Sequence, residues 1–169
     1  MSLWPYFPAA KRPPMTVSVE RAIEALFRGT KVCVFNESPE SPVQCVASLR
    51  LLRNFDADEG SIAIYNGATP DVIDGYIPLA FVYSVTCGLE EVERSRLENP
   101  NGTVLCTLLT ENNKVEVDCK RAFSLHCRAP QEFYVTFIAL DDRDFHYWRH
   151  VLDYFVLLNT SCFLHGDDD

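Results

Sequence analysis

The feature that most limits what this chain can fold into is a change of period. Between Lys31 and Leu140 the apolar residues come in short runs rich in β-branched and aromatic side chains, broken repeatedly by Gly, Pro, Asn and Asp. Such runs make strands, and the short connections between them make antiparallel neighbours. At Asp141 the period switches to that of a helix. Phe145, Trp148, Leu152 and Phe155 recur at spacings of three and four and form one aromatic face. A run of about seven short antiparallel strands followed by one helix has an unclosed end, and a helix with a wide aromatic stripe buries that stripe by plugging it. Trp148 is therefore expected in the core and not as an exposed platform.

A second helix is predicted ahead of the strands, over residues 16–28. Thr16 or Ser18 can cap it, Val19, Ile23, Leu26 and Phe27 form its apolar face, and Gly29 ends it. Strands are predicted at Lys31–Phe35, Val43–Leu52, Ser61–Tyr65, Ile77–Thr86, Thr103–Thr110, Val115–Cys119, Ala122–Cys127 and Glu132–Leu140. The closing helix is predicted over Asp141–Leu158. Asp141, Asp142 and Asp144 suit the positive end of its dipole, and His146 and His150 lie roughly opposite the aromatic face. Residues 88–102 interrupt the strands with charge and are expected to be a solvated insertion. Residues 1–15 carry Pro5, Pro8, Pro13 and Pro14 among Trp4, Tyr6 and Phe7, which predicts an extended arm that docks on this chain or on a partner. The domain is thus placed at 16–160, with an acidic tail at 161–169.

Composition narrows the function classes. A chain of 169 residues, 47% hydrophobic and 23% charged, is long enough to bury one core. Its net charge of −9 repels nucleic acid and anionic headgroups, over about 8 Å at physiological salt. Nucleic-acid binding is disfavoured. The seven cysteines include no CxxC pair and fall mostly in apolar segments, so they are expected to be reduced, small core residues and not zinc ligands. No stretch approaches the roughly 20 apolar residues of a membrane span, and the proline-broken start does not read as a signal peptide.

The motifs then point to one family. Ile77-Pro78-Leu79 with Val82, Val85 and Gly88 resembles the fourth-strand signature of pleckstrin-homology (PH) domains of the phospholipase C and plant RCC1-repeat types. Ala122-Phe123-Ser124-Leu125 resembles their sixth strand. Phe133–Ala139 followed by Asp141–Asp144 and Trp148 resembles their seventh strand, acidic helix start and helix tryptophan. The opening helix with Arg28-Gly29-Thr30-Lys31 is similar to the entry of that subgroup. Over residues 18–158 the resemblance implies a mainly β, α+β fold: a seven-stranded, bent antiparallel sheet or barrel capped by a C-terminal helix, with an extra N-terminal helix. It also implies a non-catalytic binding module at a cytoplasmic address, peripheral to membrane or cytoskeleton.

Family members that hold inositol phosphates place Lys and Arg along the first two strands and their connecting loop. Here the loop Asn36–Pro42 holds Glu37 and Glu40 and no base. Only Lys31, Arg50 and Arg53 are nearby, and they are the candidate lipid-binding residues. Several cations must face several phosphates to hold such a headgroup, so phosphoinositide is the disfavoured alternative. A protein-interaction or adaptor role is the favoured reading, with Trp4, Tyr6 and Phe7 as candidate partner-binding residues; exchange of the arm between two chains would make a homodimer. No cofactor is expected. His146 and His150 have metal-pair spacing but no third ligand in sequence, and Cys106 and Cys127 have no general base arranged around them, so an enzyme is not expected.

Overall fold

The computed structural model describes residues 17–35, 44–54, 59–69, 71–89, 94, 98–108, 111, 113–128 and 131–166. Helix α1 (Val17–Phe27) comes first. It buries Val19, Ala22, Ile23 and Leu26, while Phe27 is 39% exposed. The apolar face therefore includes Ala22 in place of the expected Phe27. The reason is angular: at about 100° per residue, Phe27 sits about 80° from Val19, on the rim of the stripe. Gly29 stops the helix at φ +93°, a conformation that glycine adopts without steric penalty.

The strands that follow are β1 (Thr30–Phe35), β2 (Gln44–Asn54), β3 (Glu59–Tyr65), β4 (Ile73–Pro78), β5 (Val82–Cys87), β6 (Thr103–Leu108), β7 (Asn113–Asp118), β8 (Ala122–Cys127) and β9 (Phe133–Ala139). Seven of them form one bent antiparallel path, in the order β4-β3-β2-β1-β9-β8-β5. The path does not close into a barrel: β4 and β5 stand at its two ends. Helix α2 (Asp142–Gly166) follows β9 and packs against α1, β5 and β9. Asp141 caps it, accepting the Asp144 N–H at 2.8 Å. Arg121 fastens the same corner, donating to the Leu140 carbonyl at 2.7 Å and to the Asp142 carboxylate at 2.9 Å.

Three expectations need correction. The single strand read over Ile77–Thr86 is two strands joined by one turn of 3-10 helix, Leu79–Phe81. Pro78 has φ −62° and no N–H to donate, so the ladder ends there and the chain crosses to the other half of the sheet. Leu79 turns inward and is buried, which is why the segment looked like continuous strand. The runs at 103–119 are not part of the seven-strand path either. They form a hairpin, β6 with β7, that touches the path through one parallel pair, Cys45 with Thr107. The insertion thus extends from the charged segment through the hairpin. Lastly, α2 continues past Leu158 to Gly166. It runs through Asn159, Thr160 and Ser161 although these are weak helix formers.

The sheet carries a core on each face. The inner core joins α1, the inward residues of the path, and α2. At its centre Trp148 is fully buried, stacks on Phe123 at 6.2 Å between ring centroids, and donates its indole N–H to Thr30 Oγ1 at 2.7 Å. The outer core lies between the hairpin and the opposite face of β1, β2, β8 and β9, and includes Phe35, Val46, Val104, Val117 and Ile138. Across it Cys33 of β1 and Cys106 of β6 form a disulfide, with Cα atoms 6.2 Å apart. This overturns the expectation that all the cysteines are reduced. The pairing joins residues 73 apart in sequence, and only the folded-back hairpin brings them together.

Two substitutions test this frame by thermal or urea unfolding. Trp148→Ala is expected to cost about 3–5 kcal/mol, a large share of the stability of a domain this size. An unchanged melting temperature would refute the central placement of this ring. Thr30→Val keeps the shape but strands the buried indole N–H, and is expected to cost about 1–3 kcal/mol.

Candidate functional site

The candidate cations fall on the outer face of β1 and β2. Lys31 is directly opposite Ser48, and Arg50 lies two residues further along β2 on the same face. Lys31 is exposed. Arg50 is part-buried, and its guanidinium lies over the ring of Tyr65 at 4.8 Å. The backbone of Arg53 pairs with Gly60, and its side chain lies outside the described residues. So do the loop 36–43 and the arm that carries Trp4, Tyr6 and Phe7.

The groups that could suggest catalysis are dispersed. His146 and His150 are exposed on α2, and no cluster of three or more His, Cys, Asp or Glu side chains suited to a metal ion occurs among the described residues. Cys106 is committed to its disulfide. Burial pushes the Cys127 thiol up to about 11. Burial, with Glu98 and Asp118 nearby, does the same to Cys119. Thiols held this far up are poor nucleophiles near neutrality. Cys119 lines an open cavity of about 320 Å³ at the base of the hairpin, together with Gly102, Asp118 and Lys120. The cavity mixes both signs of charge, Arg94 and Lys120 with Glu98 and Asp118.

A more distinctive feature is the end of the sheet at β5. Gly88 N–H donates to the Ala122 carbonyl at 2.8 Å. Bonded and non-bonded pairs alternate along an antiparallel ladder. The backbone groups of Thr86 and Ser84 therefore face β8, and those of Val85 and Cys87 face the open side. No described strand pairs with that side, and α2 packs beside it.

Next to this edge, on the face away from α2, aromatic rings line up across β5, β8 and β9. Arg128 lies over Tyr83 at 4.7 Å, and His126 stacks on Tyr134 at 5.8 Å and meets Thr86 Oγ1 at 3.1 Å. Sequence reasoning did not single out these residues. His126 and Tyr134 are directly opposite, and Tyr83 reaches the same row at the register shift between Val82 and Ser84, so the row becomes visible only once the register is known.

The path of seven strands with a helix across its open end decides the fold. It is pleckstrin-homology-like. Solved structures resemble it over most of the chain. One is inner membrane complex sub-compartment protein 3 of Toxoplasma gondii, at 13% identity and TM-score 0.46, covering 88% of this chain and 90% of that one. Sub-compartment protein 1 of the same organism matches at 15% identity and TM-score 0.46, covering 86% and 96%. PLC21 of L. pealei matches at 12% identity and TM-score 0.44, covering 85% of this chain and 16% of that one. No protein-family model and no curated protein matches the chain.

Burial sets the order of thiol reactivity. With iodoacetamide near neutral pH, exposed Cys87 is expected to label in the native state, and Cys119 and Cys127 only after unfolding. Peptide mapping should find Cys33 and Cys106 unlabelled until a reductant is added. Native labelling of both Cys33 and Cys106 would show that the disulfide is absent.

Proposed function

We propose that this chain is a PH-like binding module, without catalytic activity, that recognises a protein partner in an adaptor or assembly role. The observation that carries it is the open edge of β5. A strand end whose N–H and C=O groups have no described ladder partner is a template for an extended segment. The edge is short and lies between α2 and the aromatic row, so an added strand would set its alternate side chains on two different surfaces. A net charge of −9 favours basic segments in the encounter.

The phosphoinositide alternative has less behind it. Lys31 and Arg50 lie on the outer face of the sheet, and two cations are too few for a headgroup with several phosphates. A cytoplasmic address at membrane or cytoskeleton belongs to the same proposal.

The test is recovery of a stoichiometric partner from the source cells by the wild-type chain and by Val85→Pro. Proline removes the N–H that faces the open side, a position where an edge strand tolerates it. We expect the partner with wild type and its loss with Val85→Pro, at an unchanged circular dichroism spectrum. Equal recovery by both, or no partner at all, would reject the reading. Sedimentation with phosphoinositide vesicles at physiological salt, abolished by Lys31→Glu, would replace it with membrane targeting.

A further inference from the structure

The hairpin has a second open edge, on β7. That strand pairs with β6 on one side, and no described strand lies on the other. The register between β6 and β7 is unbroken from Thr103 with Asp118 to Leu108 with Asn113. Cys119 N–H donates to the Gly102 carbonyl at 3.0 Å, which makes those two a bonded pair. Bonded pairs recur at every second position of an antiparallel ladder. The backbone groups of Val115 and Val117 therefore face β6, and those of Lys114 and Glu116 face the open side.

Edge strands are normally blunted by proline, by bulges or by charge. The β4 edge ends in Pro78, and the pairings of β4 with β3 and of β5 with β8 each contain a register shift. By contrast β7 has neither proline nor shift. Its charges are Lys114 and Glu116, both exposed, on either side of a half-buried Val115 that packs against the outer core. Neither Lys114 nor Glu116 takes part in an ion pair among the described residues.

The order Lys114-Val115-Glu116 is complementary to itself. An antiparallel pair of identical strands related by a two-fold axis at Val115 sets Lys114 opposite Glu116 of the partner subunit, and Glu116 opposite Lys114 of the partner subunit. These are the positions whose N–H and C=O groups face outward, so both pairs would exchange their backbone hydrogen bonds. Opposite charges across a strand pair stabilise it. An axis at Lys114 or at Glu116 sets each residue against its own copy, and one at Val117 sets Glu116 against Asp118 of the partner subunit. Those registers oppose like charges, and only the axis at Val115 satisfies backbone and side chains together.

We propose that the β7 edge is a self-association surface whose occupant is the β7 edge of a second copy of this chain. The two hairpins then form one continuous sheet in the order β6-β7-β7-β6, with an isologous contact that closes at two chains. The contact lies on the hairpin, apart from the β5 edge, and stands or falls independently of it.

The test is sedimentation equilibrium of the full chain, from micromolar to millimolar concentration, at low and at high salt. We expect a reversible monomer–dimer equilibrium, weak because one pair of strands is a small interface, and weaker still in salt. Lys114→Glu and Glu116→Lys each put like charges opposite at both pairs, and each should weaken the dimer about tenfold or more. The double variant restores opposite charges and should recover the wild-type association. An equimolar mixture of the two single variants should form a mixed dimer under conditions where neither dimerises alone. Glu116→Pro removes an outward N–H and no bond to β6, and should abolish the dimer at an unchanged circular dichroism spectrum. A monomer at every concentration, a dimer that the single charge changes leave intact, or a double variant that stays monomeric would overturn the inference. Loss of the dimer in Val85→Pro, with Glu116→Lys still dimeric, would overturn it in favour of pairing through β5.

Discussion

The hydrogen bond from Trp148 to Thr30 ties the end of the chain to its beginning, across 118 residues. Burying an indole removes a large apolar area from water, but it also buries an N–H that must find an acceptor. Thr30 supplies it as the first residue of β1, directly after the Gly29 turn. The register of β1 against β2 and β9 and the depth of α2 therefore have to agree. Phe123, Phe137 and Phe145 complete the aromatic cluster, so β8, β9 and the helix meet at one point. Once α2 is seated there, α1 can bury Val19, Ile23 and Leu26 against it, which makes the extra N-terminal helix part of the core.

The second core has a different origin. In a sheet plugged on one face, the other face of β1, β2, β8 and β9 would be solvated and should alternate with polar residues. Here Cys33, Phe35, Val46, Ala122 and Ile138 are apolar and buried on that face because the β6–β7 hairpin covers them. The hairpin itself alternates cleanly: Val104, Cys106, Val115 and Val117 turn toward the sheet, and Leu105, Lys114 and Glu116 turn away. It has one backbone pair to the path, so side-chain packing and the Cys33–Cys106 bond hold it. Beyond its reach, the same outer face becomes the Lys31–Ser48–Arg50 patch on one side and the Tyr83–His126–Tyr134 row on the other. Covering the middle of a face leaves two separated surfaces.

Much of this was legible. The 3.6 period with Trp148 at its centre placed the closing helix, and the alternation at Lys31–Phe35 and Ala122–Cys127 placed β1 and β8 within a residue. Gly29 was legible as a stop because few other residues accept its positive φ. The errors share a cause. Ile77–Thr86 looked like one strand because an inward Leu79 keeps the apolar run going through a turn. Thr103–Thr110 and Val115–Cys119 are strands as read, but their place off the main path was not legible, because a strand in a hairpin and a strand in the main path have the same local pattern. The cysteines looked interchangeable because each sits in an apolar run, and nothing local distinguishes Cys33 and Cys106 from the rest.

Local physics thus determined which segments are helix or strand, which face of each is apolar, and that a helix with this aromatic stripe must close the sheet, since periodicity and backbone preference act over a few residues. Partner choice is different. The order of strands, the departure of β6 and β7 from the path, the Cys33–Cys106 pairing, the open side of β5 and the meeting of Lys31, Ser48 and Arg50 all depend on register between residues far apart in sequence. Many pairings satisfy the same local pattern, and only simultaneous packing of both cores selects one.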